Sequence, residues 1–215
     1  MNLFNHYWYF SKALSSKFCD DLIKHGEDCK DREVMGITGH FGMKRDPLIN
    51  PLNKKELKNL KKVRDSNIIF MNDRWIYKEI HPFIHMANKN ARWNFDWDYS
   101  EGCQLTKYSK GQFYDWHQDA WEHPYPQEGP TKGKVRKLSV TINLTDPKEY
   151  KGGELEFDFK NLSPSKKQKL STCPKEALAK GSIIVFPSFV WHRVKPVTKG
   201  TRHSLVIWNV GYPFK

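Results

Sequence analysis

Cysteine is scarce: Cys19, Cys29, Cys103 and Cys173 are the only four in 215 residues, and no two form a CxxC pair. A chain of this length does not need disulfide staples, so reduced thiols are expected. Long apolar runs are missing as well. No stretch approaches the ~18 residues of a membrane span. The opening MNLFNHYWYF has neither the basic start nor the apolar run of a secretory leader. The expected setting is therefore cytoplasmic, away from membranes. No internal repeat or long low-complexity run occurs. Acidic residues are outnumbered, 24 against 36 Lys and Arg, for a net charge of +12. That surplus favours polyanionic or acidic partners and says nothing about fold. The hydrophobic share of 38% and the aromatic share of 14% suffice for a globular core.

The first hundred residues read as helical. Residues 14–30 offer Ser15 or Ser16 as N-cap, with Phe18, Cys19, Leu22 and Ile23 at helical spacing. Residues 36–51 are rich in Gly, Asn and Pro and read as loop; GITGHFGMKRD at 36–46 is a candidate substrate loop. Residues 53–64 open on Asn53 and place Leu57, Leu60 and Val63 on one stripe opposite a basic face. Residues 72–89 bring Trp75, Ile76, Glu79, Phe83 and Met86 roughly into phase, with Pro82 expected to kink or divide the helix. Beyond residue 100, short β-branched and aromatic runs alternate with turns. Strands are expected at 103–109, 112–117, 135–144, 153–159, 182–187, 190–197 and 201–210. The Pro- and Gly-rich segment 121–134 is a candidate lid or substrate-binding segment, and the Lys- and Ser-rich stretch 160–175 is expected on the surface. The expected organisation is one compact unit: residues 1–100 as a support region integral to the fold, and residues 101–215 as an antiparallel barrel or sandwich core.

Chemistry concentrates around YDWHQD. On an extended strand, residues i and i+2 project to one side, so His117 and Asp119 can offer an imidazole nitrogen and a carboxylate oxygen to one ion. His192 follows 75 residues later, after the apolar run SIIVFPS. Two histidines and one carboxylate make the facial triad of non-haem Fe(II) oxygenases, which leaves positions open for a cosubstrate and dioxygen. An HxD triplet alone also arises as a surface His–Asp pair, so its surroundings matter. Arg202 lies ten residues after His192, past a turn at Thr198-Lys199-Gly200. A buried guanidinium there needs an anion, and its fork suits a dicarboxylic acid. Tyr108 can add a hydroxyl to the same carboxylate. Leu105, Ile142, Val185 and Val206 are candidate pocket walls. His81 and His85 have the i,i+4 spacing of a zinc helix but lack the glutamate of HExxH. His6, His25, His40, His123 and His203 have no ligand-like partners in sequence.

These residues, in this order, resemble the Fe(II)- and 2-oxoglutarate-dependent dioxygenases, specifically the prolyl 4-hydroxylase-like branch called PKHD-type hydroxylases. The matching segments are QLTKY at 104–108, FYDWHQD at 113–119, RKLSVTINLTDPKEYKGGELEF at 136–157 and GSIIVFPSFVWHRVKPVTKGTRHSL at 181–205, together with Trp208. The resemblance covers about half the chain. It implies a mainly β fold with α elements: a double-stranded β-helix, or jelly roll, packed against an N-terminal helical layer. It implies Fe(II) at His117, Asp119 and His192 as the catalytic metal ligands, and 2-oxoglutarate at Arg202 and Tyr108. It places Tyr114 and Trp208 at the substrate mouth, with Trp116 and Trp121 nearby. Dioxygen would be the second cosubstrate, and the branch admits L-ascorbate as an auxiliary. The implied activity is hydroxylation of an unactivated C–H bond, with release of succinate and carbon dioxide, by an enzyme akin to the procollagen-proline 4-dioxygenases. The partner would be a proline-containing peptide or protein. Three departures bear on the substrate. Arg202 stands where animal and plant prolyl 4-hydroxylases usually carry Lys. Leu155 replaces the threonine of a Gly-Gly-Glu-Thr segment, and Val210 replaces a polar residue. Two alternatives stay open: a nucleic-acid hydroxylase or demethylase using the same iron chemistry, and a non-catalytic metal-binding jelly roll. The basic stretches at 54–64, 132–137 and 166–169 favour the first, whereas Trp208 stands where that branch usually has a second Arg.

Overall fold

The computed structural model describes residues 3–38, 52–159 and 171–214. Among the described residues, three α-helices stand in the N-terminal hundred. Helix α1 (Ser16–Asp28) is capped by Ser15, whose hydroxyl accepts from the Phe18 N–H at 3.1 Å. Helix α2 (Lys54–Leu60) starts on a reciprocal box: Asn53 accepts from the Glu56 N–H, and Glu56 accepts from the Asn53 N–H. Helix α3 (Arg74–Asn90) runs through Pro82 undivided, so of the two expected effects, a kink or a division, the division does not occur. Pro82 and Lys78 are both exposed, so the carbonyl that loses its donor can bond water. The buried face of α3 is Ile76, Ile80, Ile84 and Ala87. Trp75 and Met86, expected in that stripe, lie outward, and Trp75 packs edge-on against Phe18 and His25.

The strands are β1 (Trp8–Phe10), β2 (Val34–Met35), β3 (Arg64–Asp65), β4 (Asn67–Met71), β5 (Tyr99–Ser100), β6 (Cys103–Tyr108), β7 (Phe113–His117), β8 (Val135–Asn143), β9 (Lys151–Gly152), β10 (Leu155–Asp158), β11 (Ser171–Thr172), β12 (Ile183–Pro187), β13 (Trp191–Val194), β14 (Val197–Lys199) and β15 (Arg202–Gly211). The expected strands are present, most within two residues. The exception is 190–197, which breaks after Val194 and resumes as β14 beyond Pro196, a residue without a ladder donor. The five strands β1–β5 were not expected; NIIFM of β4 carried the β-branched signal that could have found one of them.

A large sheet runs β1-β12-β8-β15-β6-β4-β2, and a second runs β11-β10-β13-β7-β3. From β6 onward the chain alternates between them: β6 large, β7 second, β8 large, β10 and β11 second, β12 large, β13 second, β15 large. That alternation is the double-stranded β-helix. The sheets do not close into a barrel. The N-terminal region is not merely a helical cover: β1, β2 and β4 extend the large sheet, and β3 edges the second.

Strand parity divides the interior. Leu138, Val140 and Ile142 of β8 pack with Val185, Leu205 and Ile207 against Leu22 of α1 and the isoleucines of α3. Ile184 and Phe186 of β12 point the other way, toward Leu155, Phe157 and Val194 of the second sheet. Each fully buried aliphatic side chain contributes about 1.5–3 kcal/mol. This parity corrects three expected pocket walls: Leu105, Ile142 and Val185 belong to the core under the helices, and only Val206 faces the inter-sheet cavity. All four cysteines are unpaired. Burial pushes the Cys19 and Cys103 thiols up to about 11 and Cys173 up to about 12, so they are poor nucleophiles.

Candidate metal centre

His117 ends β7, and His192 is its cross-strand partner on β13. Asp119 is not on the strand as expected; β7 stops at His117 and the chain bends. The Asp119 and Ala120 N–H groups both donate to the Ser188 carbonyl, at 2.9 and 2.8 Å, and this fixes the bend. One Asp119 carboxylate oxygen lies 3.8 Å from His117 Nε2 and the other 3.6 Å from His192 Nε2. These distances are too long for hydrogen bonds. The three ligand atoms lie within 4.8 Å of one another, and this is the only such group among the described residues.

The ring orientation follows from the backbone. His117 Nδ1 is 2.8 Å from the Asp115 carbonyl, and His192 Nδ1 is 2.9 Å from the Val190 carbonyl. A carbonyl only accepts, so each Nδ1 donates, and this turns each Nε2 toward the cavity. Burial, with His192 adding to it, holds the His117 imidazole well below its ordinary range and therefore neutral. Burial alone would raise the Asp119 carboxyl. His192, His117, Arg136 and the Ser139 hydroxyl outweigh it, and the group stays ionised. Ser139 also bonds Ser188 at 2.9 Å, tying the carboxylate's donor to the carbonyl that fixes the bend. Two imidazole Nε2 atoms and a carboxylate in a buried cluster are the donor set that Fe(II) takes.

Arg202 opens β15 opposite Tyr108 of β6. It is 2% exposed, donates from Nη1 to Ser204 Oγ at 3.3 Å, and leaves Nε buried without a partner. No carboxylate pairs with it among the described residues. Its guanidinium carbon lies 5.7 Å from the Tyr108 ring. Burial raises the Tyr108 hydroxyl, which stays protonated and can donate. Tyr108 and Ser204 line the cavity that holds the triad. Gly153, at φ +66°, packs beneath this arginine: a Cβ there would meet Arg202 Cδ at 3.0 Å. Leu155 supplies an apolar wall where a hydroxyl was wanted.

Of the expected substrate residues, Tyr114 stacks on the His117 ring with centroids 3.5 Å apart, and Trp208 lines the cavity with its Nε1 buried and unpartnered. Trp116 is not among the lining residues; Arg193 sits over its ring at 4.7 Å. The 121–134 segment is tied down through Tyr125, which donates to Glu101 at 2.8 Å. Residues 39–46 of the candidate substrate loop and 160–170 of the basic stretch lie outside the described residues. Of the remainder of 160–175, β11 pairs with β10 and Cys173 is buried rather than exposed. His81 bonds Ser100 and His85 stacks on Trp97, away from any ligand cluster.

Two arginines escaped the sequence reading. Arg136, counted there as part of a basic stretch, is clamped by Glu101 at 2.8 and 2.6 Å and stacks on Trp208 at 3.9 Å. Arg64, in a run read as surface, is buried beside Tyr114. The sequence signal was the R-x-S alternation entering β3–β4. A larger cavity, of about 250 Å³, lies on the other face of the large sheet beneath α1, among Glu27, Leu105 and His203, and holds no ligand cluster.

A family model described as the 2OG-Fe(II) oxygenase superfamily matches residues 103–210. A PKHD-type hydroxylase of Prochlorococcus marinus is 36% identical over 111 residues, 52% of this chain and 42% of that protein. One from Sphingopyxis alaskensis is 37% identical over 99 residues, 46% and 38% of the two chains. The chain thus spans about two fifths of the length of these relatives. Among solved structures, the viral collagen prolyl hydroxylase of Paramecium Bursaria Chlorella virus-1 superposes with a TM-score of 0.60 at 18% identity, covering 97% of each chain. A Trichoplax adhaerens prolyl hydroxylase, in complex with a hypoxia inducible factor peptide fragment, gives 0.59 at 14%, covering 96% and 84%. At such identities the likeness speaks to fold.

Proposed function

The chain belongs to the 2OG-Fe(II) oxygenase superfamily, whose cofactors are Fe(II) and 2-oxoglutarate, and from that premise we propose that it hydroxylates an unactivated C–H bond of a peptide or protein, with proline as the target. The observation that carries the reading is a buried His-Asp-His cluster in the inter-sheet cavity, with the buried, anion-seeking Arg202 set against two residues that line that cavity, Tyr108 across the strands and Ser204 by hydrogen bond. His117 and His192 would hold the metal through Nε2, and Asp119 through a carboxylate oxygen. Three protein ligands leave the remaining positions for the cosubstrate's oxygens and for dioxygen. When bound, iron and 2-oxoglutarate supply the oxidising chemistry, releasing succinate and carbon dioxide as the hydroxyl is made. The protein's part is orientation and dryness. Arg202 would hold the far carboxylate of 2-oxoglutarate by charge-assisted hydrogen bonds, with Tyr108 as a further donor. Phe186, Leu155 and Val206 give the cavity apolar walls. Trp208 Nε1 would donate to a substrate carbonyl.

The names of the structural neighbours favour a peptide: one is a collagen prolyl hydroxylase and another holds a peptide fragment. The nucleic-acid alternative loses support at 132–137. There Arg136 is neutralised by Glu101, Lys134 pairs with Asp98 at 2.8 Å, and Lys137 is buried over Phe214. A turnover screen against proline-rich peptides, ribosomal-protein fragments and methylated oligonucleotides tests the reading. Proline hydroxylation matched by succinate release is expected; turnover on oligonucleotides alone would overturn the peptide reading, and metal binding without any succinate would favour the non-catalytic module.

A further inference from the structure

Arg64 sits on the edge strand β3, directly opposite Tyr114 of β7. It is 4% exposed. Nε donates to Ser66 Oγ at 2.9 Å and Nη1 donates to the Ile37 carbonyl at 2.7 Å. Those two bonds orient the fork, while Nη2 is buried and unpartnered. The guanidinium carbon lies 4.5 Å from the Tyr114 ring, whose neighbour is the His117 imidazole. Arg64, Tyr114 and the triad line one cavity. No carboxylate pairs with Arg64 among the described residues. The other arginines near the site are accounted for: Glu101 neutralises Arg136, Glu156 neutralises Arg193 at 2.6 Å, and Arg202 is reserved for 2-oxoglutarate.

A guanidinium cannot shed its proton. The cavity wall therefore carries a permanent charge that the Tyr114 face compensates only in part, and a buried charge without a counter-ion is strongly unfavourable. We propose that Arg64 is a specificity residue that binds a carboxylate carried by the substrate next to the oxidised position. The substrate class is then an acidic peptide: one with an Asp or Glu side chain beside the target residue, or one whose C-terminal carboxylate lies there. The net charge of +12 complements such a substrate at long range. This deepens the peptide reading above and rests on it only for the identity of the target.

The test is anaerobic binding to the Fe(II)- and 2-oxoglutarate-loaded protein, followed by calorimetry with two probe pairs. One pair is N-acetyl-Gly-Pro as free acid and as amide. The other is N-acetyl-Gly-Pro-Glu-amide and N-acetyl-Gly-Pro-Gln-amide. The acidic member of at least one pair is expected to bind at least about tenfold tighter than its neutral partner, a typical size for a charge-assisted contact. The pair that discriminates identifies the source of the carboxylate. Arg64→Met is expected to erase the difference; if it does not fold, Arg64→Gln, which keeps a donor for the Ile37 carbonyl, is expected to do the same. Equal binding within both pairs overturns the proposal. So do a preference that survives Arg64→Met, failure of all four probes to bind, and a loss of 2-oxoglutarate affinity in Arg64→Met as large as the loss of preference. Acid preference without hydroxylation in air would overturn the prolyl reading and leave this one standing. Hydroxylation of the neutral probes without acid preference would do the reverse.

Discussion

Two backbone carbonyls, Asp115 and Val190, decide which nitrogen of each imidazole faces the cavity. The site is thus prepared for a metal by main-chain geometry that substitution of neighbouring side chains leaves largely intact. Arg202 is held only by Ser204, its Nε stays unpartnered among the described residues, and 2-oxoglutarate affinity should depend on it. Arg202→Ala is expected to cost about 3 kcal/mol, roughly a hundredfold in Kd for 2-oxoglutarate, with metal affinity much less affected; paired titrations of metal and cosubstrate check this. Protonation adds a second expectation at single side chains. Burial holds His117, His81 and His203 below the ordinary imidazole range. Below about pH 6.5 the unfolded chain therefore binds more protons than the folded one. Stability of the metal-free protein should fall as the pH drops from neutrality through 6.5, and should level off only below the folded-state values. Denaturant midpoints at pH 7.5 and 5.5 measure it; a higher midpoint at pH 5.5 would contradict this.

Along the elements, the buried row of α3 is open to a paired substitution. Ile80→Ala should cost about 2–5 kcal/mol, whereas Met86→Ala, at 47% exposure, should stay within about 0.5 kcal/mol; urea midpoints distinguish the rows. Gly153→Ala should combine left-handed strain with a push on Arg202, and so weaken 2-oxoglutarate binding along with stability; a loss of stability alone would separate the turn from the site. The β-helix strands and the triad were legible because each rests on local pattern: period-2 runs, Gly and Pro punctuation, and an HxD triplet with a distant His and Arg. Strands β1–β3 and β5 were not, being two or three residues long and held by partners remote in sequence. Side-chain facing was half legible. The alternation was visible in β8, β12 and β15, but nothing local says which parity meets the helices, so Ile142 and Val185 were placed on the wrong face. Arg64 and Arg136 were hidden for the related reason that a basic run looks solvated until its cross-sheet partner is known.

Taken as a whole, the molecule presents two faces of one large sheet to two different tasks. The helix-facing side carries the larger apolar core, with a polar-rimmed cavity beneath α1. The side facing the second sheet carries Tyr108, Thr141, Ser204 and Trp208 around the triad. The charge surplus surrounds this arrangement without building it, so added salt should slow association with an acidic peptide while leaving thermal stability little changed; stopped-flow binding across a salt series checks that. Most direct of all is an anaerobic titration of the folded protein with Fe(II) and then 2-oxoglutarate, followed by the weak visible charge-transfer band of the chelate. The band should saturate at one equivalent of each, vanish in His117→Ala, and need far more 2-oxoglutarate in Arg202→Ala. A correctly folded protein that gives no band, or whose band is indifferent to Arg202, would contradict the shared site.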